Sequence, residues 1–115
     1  MQSTISYKQG DAVLVGFVFS DESGIKQRPA VVLSTDLYHR GRQEVIVAAV
    51  TSNLERLLVG DYRVVNWRQA GLLHPSVVTG ILRTIKRSMI RRKLGKLFSS
   101  DMLGVQVALR QSFGL

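Results

Sequence analysis

Apolar runs, most of them continuous rather than alternating, punctuate this chain. Ala12-Val13-Leu14-Val15-Gly16-Phe17-Val18-Phe19 follows a Gly10-Asp11 turn signal and reads as a strand. A polar loop, Ser20 to Gln27, leads to Arg28-Pro29 and then to Ala30-Val31-Val32-Leu33-Ser34. After a polar connection from Thr35 to Glu44, Val45-Ile46-Val47-Ala48-Ala49-Val50 repeats the same signature. Short runs without alternation are what strands show when both faces are buried, as in a closed or strongly curled sheet.

Further along, Tyr62-Arg63-Val64-Val65 predicts a shorter strand, and Trp67 to Gly71 one helical turn closed by glycine. Pro75 introduces a strand through Ser76–Ile85. The last element is a helix beginning at Ser99 or Ser100, both good N-cap residues, with Asp101 favouring the helix dipole. Met102, Val105, Ala108 and Leu109 form its apolar stripe, and Gly104 is a mild cost within it. Repeats and low-complexity linkers are lacking. The connections are too short for the crossover helices of an alternating βαβ fold. The fold class expected is mainly β (α+β): a small curled barrel of about five to seven strands with a C-terminal helix.

Length and composition narrow the function. A chain of 115 residues makes a single domain, 1–115, and buries enough surface for a core without staples. It has no cysteine, which removes disulfides and thiolate metal sites; the two histidines, His39 and His74, are far apart in sequence. Neither a metal nor a cofactor is expected. No apolar run approaches the ~20 residues of a membrane span, and the N-terminus lacks signal-peptide character, so the expected compartment is the cytoplasm.

Charge changes the picture most. The net charge is +8, and its excess is uneven. Between Asp61 and Asp101 there is no carboxylate, while Arg63, Arg68, Arg83, Lys86, Arg87, Arg91, Arg92, Lys93 and Lys96 all fall there. A polyanion is the natural partner of such a surface, because each neutralised phosphate releases counterions. The plain alternative is a solvated basic face.

Two side chains stand out. If residues 28–34 and 45–51 form an antiparallel hairpin with Ser34 opposite Val45, then Arg28 falls opposite Thr51, with Cβ atoms about 4.5–5.5 Å apart. Pro29 holds Arg28 extended. A guanidinium offers a planar fork for phosphate oxygens, and a threonine hydroxyl orients one of those oxygens or the attacking group. RNA carries its own nucleophile, the 2′-hydroxyl, so a protein has only to position the backbone and stabilise charge. Taken alone, the same two residues also suit a structural arginine at a sheet edge beside a β-favouring threonine.

The ordered set of segments is informative beyond this pair. Gly10 to Val15, Phe19-Ser20-Asp21, Lys26 to Ser34 and Val45 to Asn53 resemble the opening of the MazF/PemK toxins. Asp61-Tyr62, Trp67 to Leu72, Pro75 to Val78, Arg83-Thr84-Ile85 and Arg92 to Leu97 continue in that family's order. The resemblance implies an SH3-like barrel, a homodimer, metal-independent cleavage of single-stranded RNA at a short motif, and a small antitoxin seated in the RNA groove. It implies Arg28 and Thr51 as the catalytic pair, and a 2′,3′-cyclic phosphate product. Around that pair, RNA-binding positions are expected at Phe19 (stacking), Ser20, Asp21, Lys26 (phosphate), Gln27, Ser52, Asn53 (base edge), Arg83 and Lys86.

Two departures from the family pattern are visible. Lys86 stands where many relatives have an Asp after Arg-Thr-Ile, and the first loop has no histidine. Two other readings keep the same fold. One is a barrel that binds nucleic acid without cutting it. The other is a gyrase-poisoning toxin, whose Trp-Gly-Ile ending this chain replaces with Gln111-Ser112-Phe113-Gly114-Leu115.

Overall fold

The computed structural model describes residues 6–18, 24–55 and 57–115. Six strands form one antiparallel sheet: β1 (Asp11–Val18), β2 (Ile25–Val32), β3 (Glu44–Thr51), β4 (Tyr62–Arg63), β5 (Val77–Lys86) and β6 (Ile90–Lys96). A short helix α1 (Asp36–His39) lies between β2 and β3, a single 3₁₀ turn precedes β6, and α2 (Ser99–Phe113) ends the chain. Strand order is β4-β5-β3-β2-β1-β6. The expected mainly-β class with a C-terminal helix is therefore what the protein has, and six strands fall inside the expected range. Among the described residues hydrogen bonding does not join β4 to β6, so the sheet is not closed into a barrel.

The unbroken apolar runs have the predicted cause. Ala12 and Val13, Val31 and Val32, and Val47 and Ala48 are neighbours in sequence, all buried, and each pair divides between two cores. One core holds Ala12, Val31, Ala48, Val64, Leu72, Leu97 and the inner face of α2 through Met102 and Val105. The other holds Val13, Val15, Val32, Val45, Val47, Ile85 and Ile90, with Tyr7. Fully burying each such side chain contributes roughly 1.5–3 kcal/mol, so both faces contribute to stability.

Four local expectations are corrected. The polar stretch before Arg28 is not all loop: β2 begins at Ile25, because β1 templates it residue by residue from Val18↔Ile25 to Ala12↔Val31. Part of the 35–44 connection is helical, capped by the Thr35 hydroxyl accepting from the Tyr38 amide at 3.3 Å. Residues 90–96, for which the apolar pattern predicts nothing, form edge strand β6. The C-terminal helix starts at Ser99 as expected, but its N-cap position is Phe98, which makes no side-chain capping bond, rather than a serine. Leu97 is tied to Gly10 through its amide at 2.9 Å, which forces the first turn to start one residue beyond Phe98.

Asp101 sits in the first turn of α2 as expected and has a second task there. It is fully buried, and accepts from the Tyr62 hydroxyl at 2.7 Å and from the amides of Val65 and Asn66 at 3.0 and 2.9 Å. Burial alone would raise its pKa, but these donors outweigh it and hold the carboxyl below the usual range. Tyr62, half-buried against the same anion, is pushed up to about 12. This anchor moors α2 to the segment after β4. It also explains Gly104: a Cβ there would run into the Tyr62 ring.

Candidate active site

Strand register decides which side chains meet. β2 and β3 pair Ala30 with Ala49, Val31 with Ala48 and Val32 with Val47. Continued two residues toward the strand ends, that register sets Arg28 opposite Thr51. Across the sheet, Pro29 lies opposite Leu14, and Leu14 opposite Arg92 on β6. Arg92, Leu14, Pro29 and Val50 thus form a row over four strands, and all four line one cleft of about 670 Å³ together with Arg28 and Thr51. Leu72 and Leu94 extend the apolar floor; Gln27 and Ser52 flank the pair at the mouth.

The far wall is the segment Gly71–His74 with Ser76. It arrives there because β3 and β5 pair antiparallel down to Thr51↔Val77, so whatever precedes Val77 must border the end of β3. The segment is shaped by a turn in which the Ala70 amide bonds Asn66 and the Leu72 amide bonds Trp67, closed by Gly71 at φ 83°. That is the expected helical turn with its glycine. Beyond it, the Ser76 hydroxyl donates to the His74 carbonyl at 2.6 Å.

A slipped register between β3 and β5, at Ala48/Val50, gives β5 extra residues opposite Ala49. The Thr79 hydroxyl donates to the Ala49 carbonyl at 2.8 Å and satisfies it there. Such bulges bend the strand that carries the extra residues, here β5 where it runs beside the end of β3. The Thr51 hydroxyl accepts from the Asn53 amide at 3.1 Å. With that lone pair engaged, its own O–H has no acceptor among the described residues and remains free to donate.

Electrostatically the cleft is one-signed. Its described lining carries Arg28, Arg92 and His74 and no carboxylate. The Arg28 guanidinium is exposed and donates one hydrogen bond, to the Gln27 carbonyl at 3.1 Å, which leaves most of its fork open. Lys93, next to Arg92, is taken up by the buried Asp11 at 3.2 Å, and Arg92 has no carboxylate partner among the described residues.

The sequence-predicted residues divide. Arg28, Thr51, Gln27 and Ser52 come together in the cleft. Asn53 sits on the other side of Thr51, in a second depression with Leu58, Val59 and Ile81, its side-chain oxygen accepting from the Glu55 amide at 3.0 Å. Lys26 is exposed on β2 opposite Phe17. Arg83 lies opposite Val47 and stacks over Phe17 at 4.8 Å, on the face of the sheet away from the cleft floor. Lys86 pairs with Glu44 at the opposite end of β3 from Thr51, about 23 Å along the strand. The structure does not bring Lys86 to the pair, and Arg83 is not part of the cleft lining. Phe19, Ser20 and Asp21 lie outside the described residues.

Sequence reasoning missed His74 and Arg92. For His74 a signal existed, since any β3–β5 pairing places the residues before β5 beside Thr51. For Arg92 none did, because β6 has no apolar periodicity to set its register.

Comparison with known proteins agrees with this architecture. No curated protein sequence matches the chain. Among solved structures, a Deinococcus radiodurans MazE–MazF complex superposes with TM-score 0.80 at 18% identity, over 97% of this chain and 99% of that one. A mycobacterial endoribonuclease in complex with its cognate antitoxin gives 0.76 at 16% identity, over 96% and 97%. The Mycobacterium tuberculosis toxin MazF-mt6 gives 0.72 at 26% identity, over 91% and 97%. Residues 8–113 match the family model for PemK-like, MazF-like toxins of type II toxin–antitoxin systems, and the chain belongs to that family.

Proposed function

We infer that this toxin is an endoribonuclease that cleaves single-stranded RNA by internal attack, with Arg28 and Thr51 as its catalytic pair. The observation that carries the reading is their convergence in one positively charged cleft without a carboxylate among its described lining. The 2′-oxygen attacks the adjacent phosphorus, the P–O5′ bond breaks, and the products are a 2′,3′-cyclic phosphate and a 5′-hydroxyl. Arg28 neutralises the phosphorane as charge builds on its non-bridging oxygens. Thr51 donates its free O–H to one of them. Proton transfer from the 2′-hydroxyl and to the O5′ leaving group falls to His74, the imidazole of the lining and the side-chain type suited to both roles. The scheme requires no metal.

The cleft also suits an antitoxin. The relatives named above include a MazE–MazF complex and an endoribonuclease bound to its cognate antitoxin. A small partner with an acidic, apolar-tipped segment would match both the charge and the Leu14–Pro29–Val50 floor. A second copy of this chain would cover the exposed Leu58, Val59 and Ile81 beside Thr51, since patches of that kind are seldom left to water. The cytoplasm is the compartment where mRNA and an antitoxin are both at hand, and no helix of the described residues is long and apolar enough to cross a membrane.

The test is incubation of the purified toxin with mixed-sequence single-stranded RNA in excess chelator, with end mapping. Cleavage should persist, leave cyclic phosphate ends, and fall at least 10³-fold in Arg28→Ala, the upper range for losing one charge-stabilising donor. RNA that is bound tightly but left intact would favour a non-cutting binder and overturn the enzyme reading.

A further inference from the structure

The nuclease reading concerns one phosphate, but the cleft holds two cations that no single phosphate accounts for. Arg28 sits midway along β2, level with the end of β3; Arg92 sits on β6, across the apolar floor. Their strands are separated by β1, so their backbones stand about two strand spacings, roughly 10 Å, apart. Arg92 faces the cleft because it pairs directly with Leu14, and directly opposed residues share a face. Its neighbour Arg91 is the extra residue where the pairing of β1 with β6 slips between Leu14 and Val15, and its side chain lies over Gly16, two residues beyond Leu14 on the same face.

We propose that Arg92 is a second phosphate clamp, which holds the phosphate neighbouring the scissile one while the nucleotide between them lies over Leu14, Pro29 and Leu94. The inference rests on the nuclease reading and adds to it a second contact with the RNA backbone. Three observations support it. Arg92 is exposed and has no carboxylate partner among the described residues, whereas the adjacent Lys93 is neutralised by Asp11. The surface between the two arginines is apolar, which suits a base or ribose rather than a third phosphate. Finally, a guanidinium matches two phosphate oxygens in a way a solvating surface charge would not require. Arg92 is a positioning residue for the chemistry: it fixes the strand, and Arg28 and Thr51 act on the bond.

The experiment uses a labelled mixed-sequence RNA carrying 2′-O-methyl groups throughout, which cannot be cut, with binding measured from 50 to 400 mM salt. A contact with one single-strand phosphate contributes about 0.7 to the slope of log affinity against log salt. Arg92→Gln should flatten the slope by about that amount and weaken binding about tenfold at low salt, while Arg92→Lys keeps the slope. On cleavable RNA, Arg92→Gln should lower kcat/KM about tenfold through KM. If wild type binds and Arg92→Gln matches it in both affinity and slope, Arg92 is not a clamp, although the nuclease reading stands. A loss of kcat as deep as that of Arg28→Ala would also overturn the proposal, by placing Arg92 at the scissile phosphate. If wild type neither binds nor cuts RNA, the nuclease reading itself fails.

Discussion

Two polar clusters in this protein are built from similar materials and end in opposite states. At the Asp101 anchor, one carboxylate accepts from a phenol and two backbone amides, and is sealed from water. In the cleft, Arg28 gives one bond to a carbonyl, Thr51 keeps a free hydroxyl, and Arg92 lacks a carboxylate partner among the described residues. The first cluster has completed its hydrogen bonding inside the protein and holds the fold. The second has left its donors open in solvent, where an isolated polar group costs little and an incoming anion finds every position ready. Stability and chemistry are therefore separable here, and substitutions should act on one without the other.

The largest effect belongs to the anchor. Asp101→Asn keeps the shape but turns an amide NH₂ toward backbone donors, and should destabilise the fold by about 3 kcal/mol, or roughly 12 °C in Tm by calorimetry. Because the native carboxyl titrates below its unfolded value, its contribution is complete above the usual carboxylate range. It is lost as pH falls through the lowered native pKa. The gap between wild type and variant should accordingly narrow only in acid, below about pH 4. A gap that stayed constant down to strong acid would mean that the anion is not what holds the anchor.

Next comes the cleft. Thr51→Val preserves the β-branched shape and removes the hydroxyl, so kcat should drop about 10²-fold with Tm moved by no more than about 2 °C. Melting and single-turnover cleavage on the same preparation would show this. A loss of several degrees would place Thr51 with the anchor rather than with the chemistry. The smallest effect should come from Lys86→Gln, at the far end of β3. Affinity for RNA should change less than about twofold, with the salt slope intact; a flattened slope would extend the RNA path well beyond the cleft.

What could be read from the sequence follows the same division. Continuous apolar runs located β1, β2 and β3 because both faces of those strands are buried, as Val31 and Val32 illustrate. The hairpin register that opposes Arg28 to Thr51 was legible for the same reason, since Pro29 and the apolar run leave few alternative pairings. β6 was not: an edge strand with Arg91, Arg92 and Lys93 in succession carries no period for a buried face to impose. The wall at His74 was hidden because it depends on β3–β5 pairing across an intervening segment of 25 residues, 52–76, and Gly104 because its neighbour Tyr62 is distant in sequence. Local pattern reveals what burial enforces locally; the cleft is assembled from parts that meet only in the finished sheet.

One consequence concerns how this toxin diversifies. A Cβ at Gly71 would collide with the Leu94 carbonyl, and one at Gly95 with that of Ala70, so main chain rests directly on main chain beside the cleft. The spacing between that turn and β6 is therefore set by two peptide planes and not by any side chain. Drift at positions such as Leu73 or Ser52 can then change the lining of the cleft while the backbone beside it keeps its spacing.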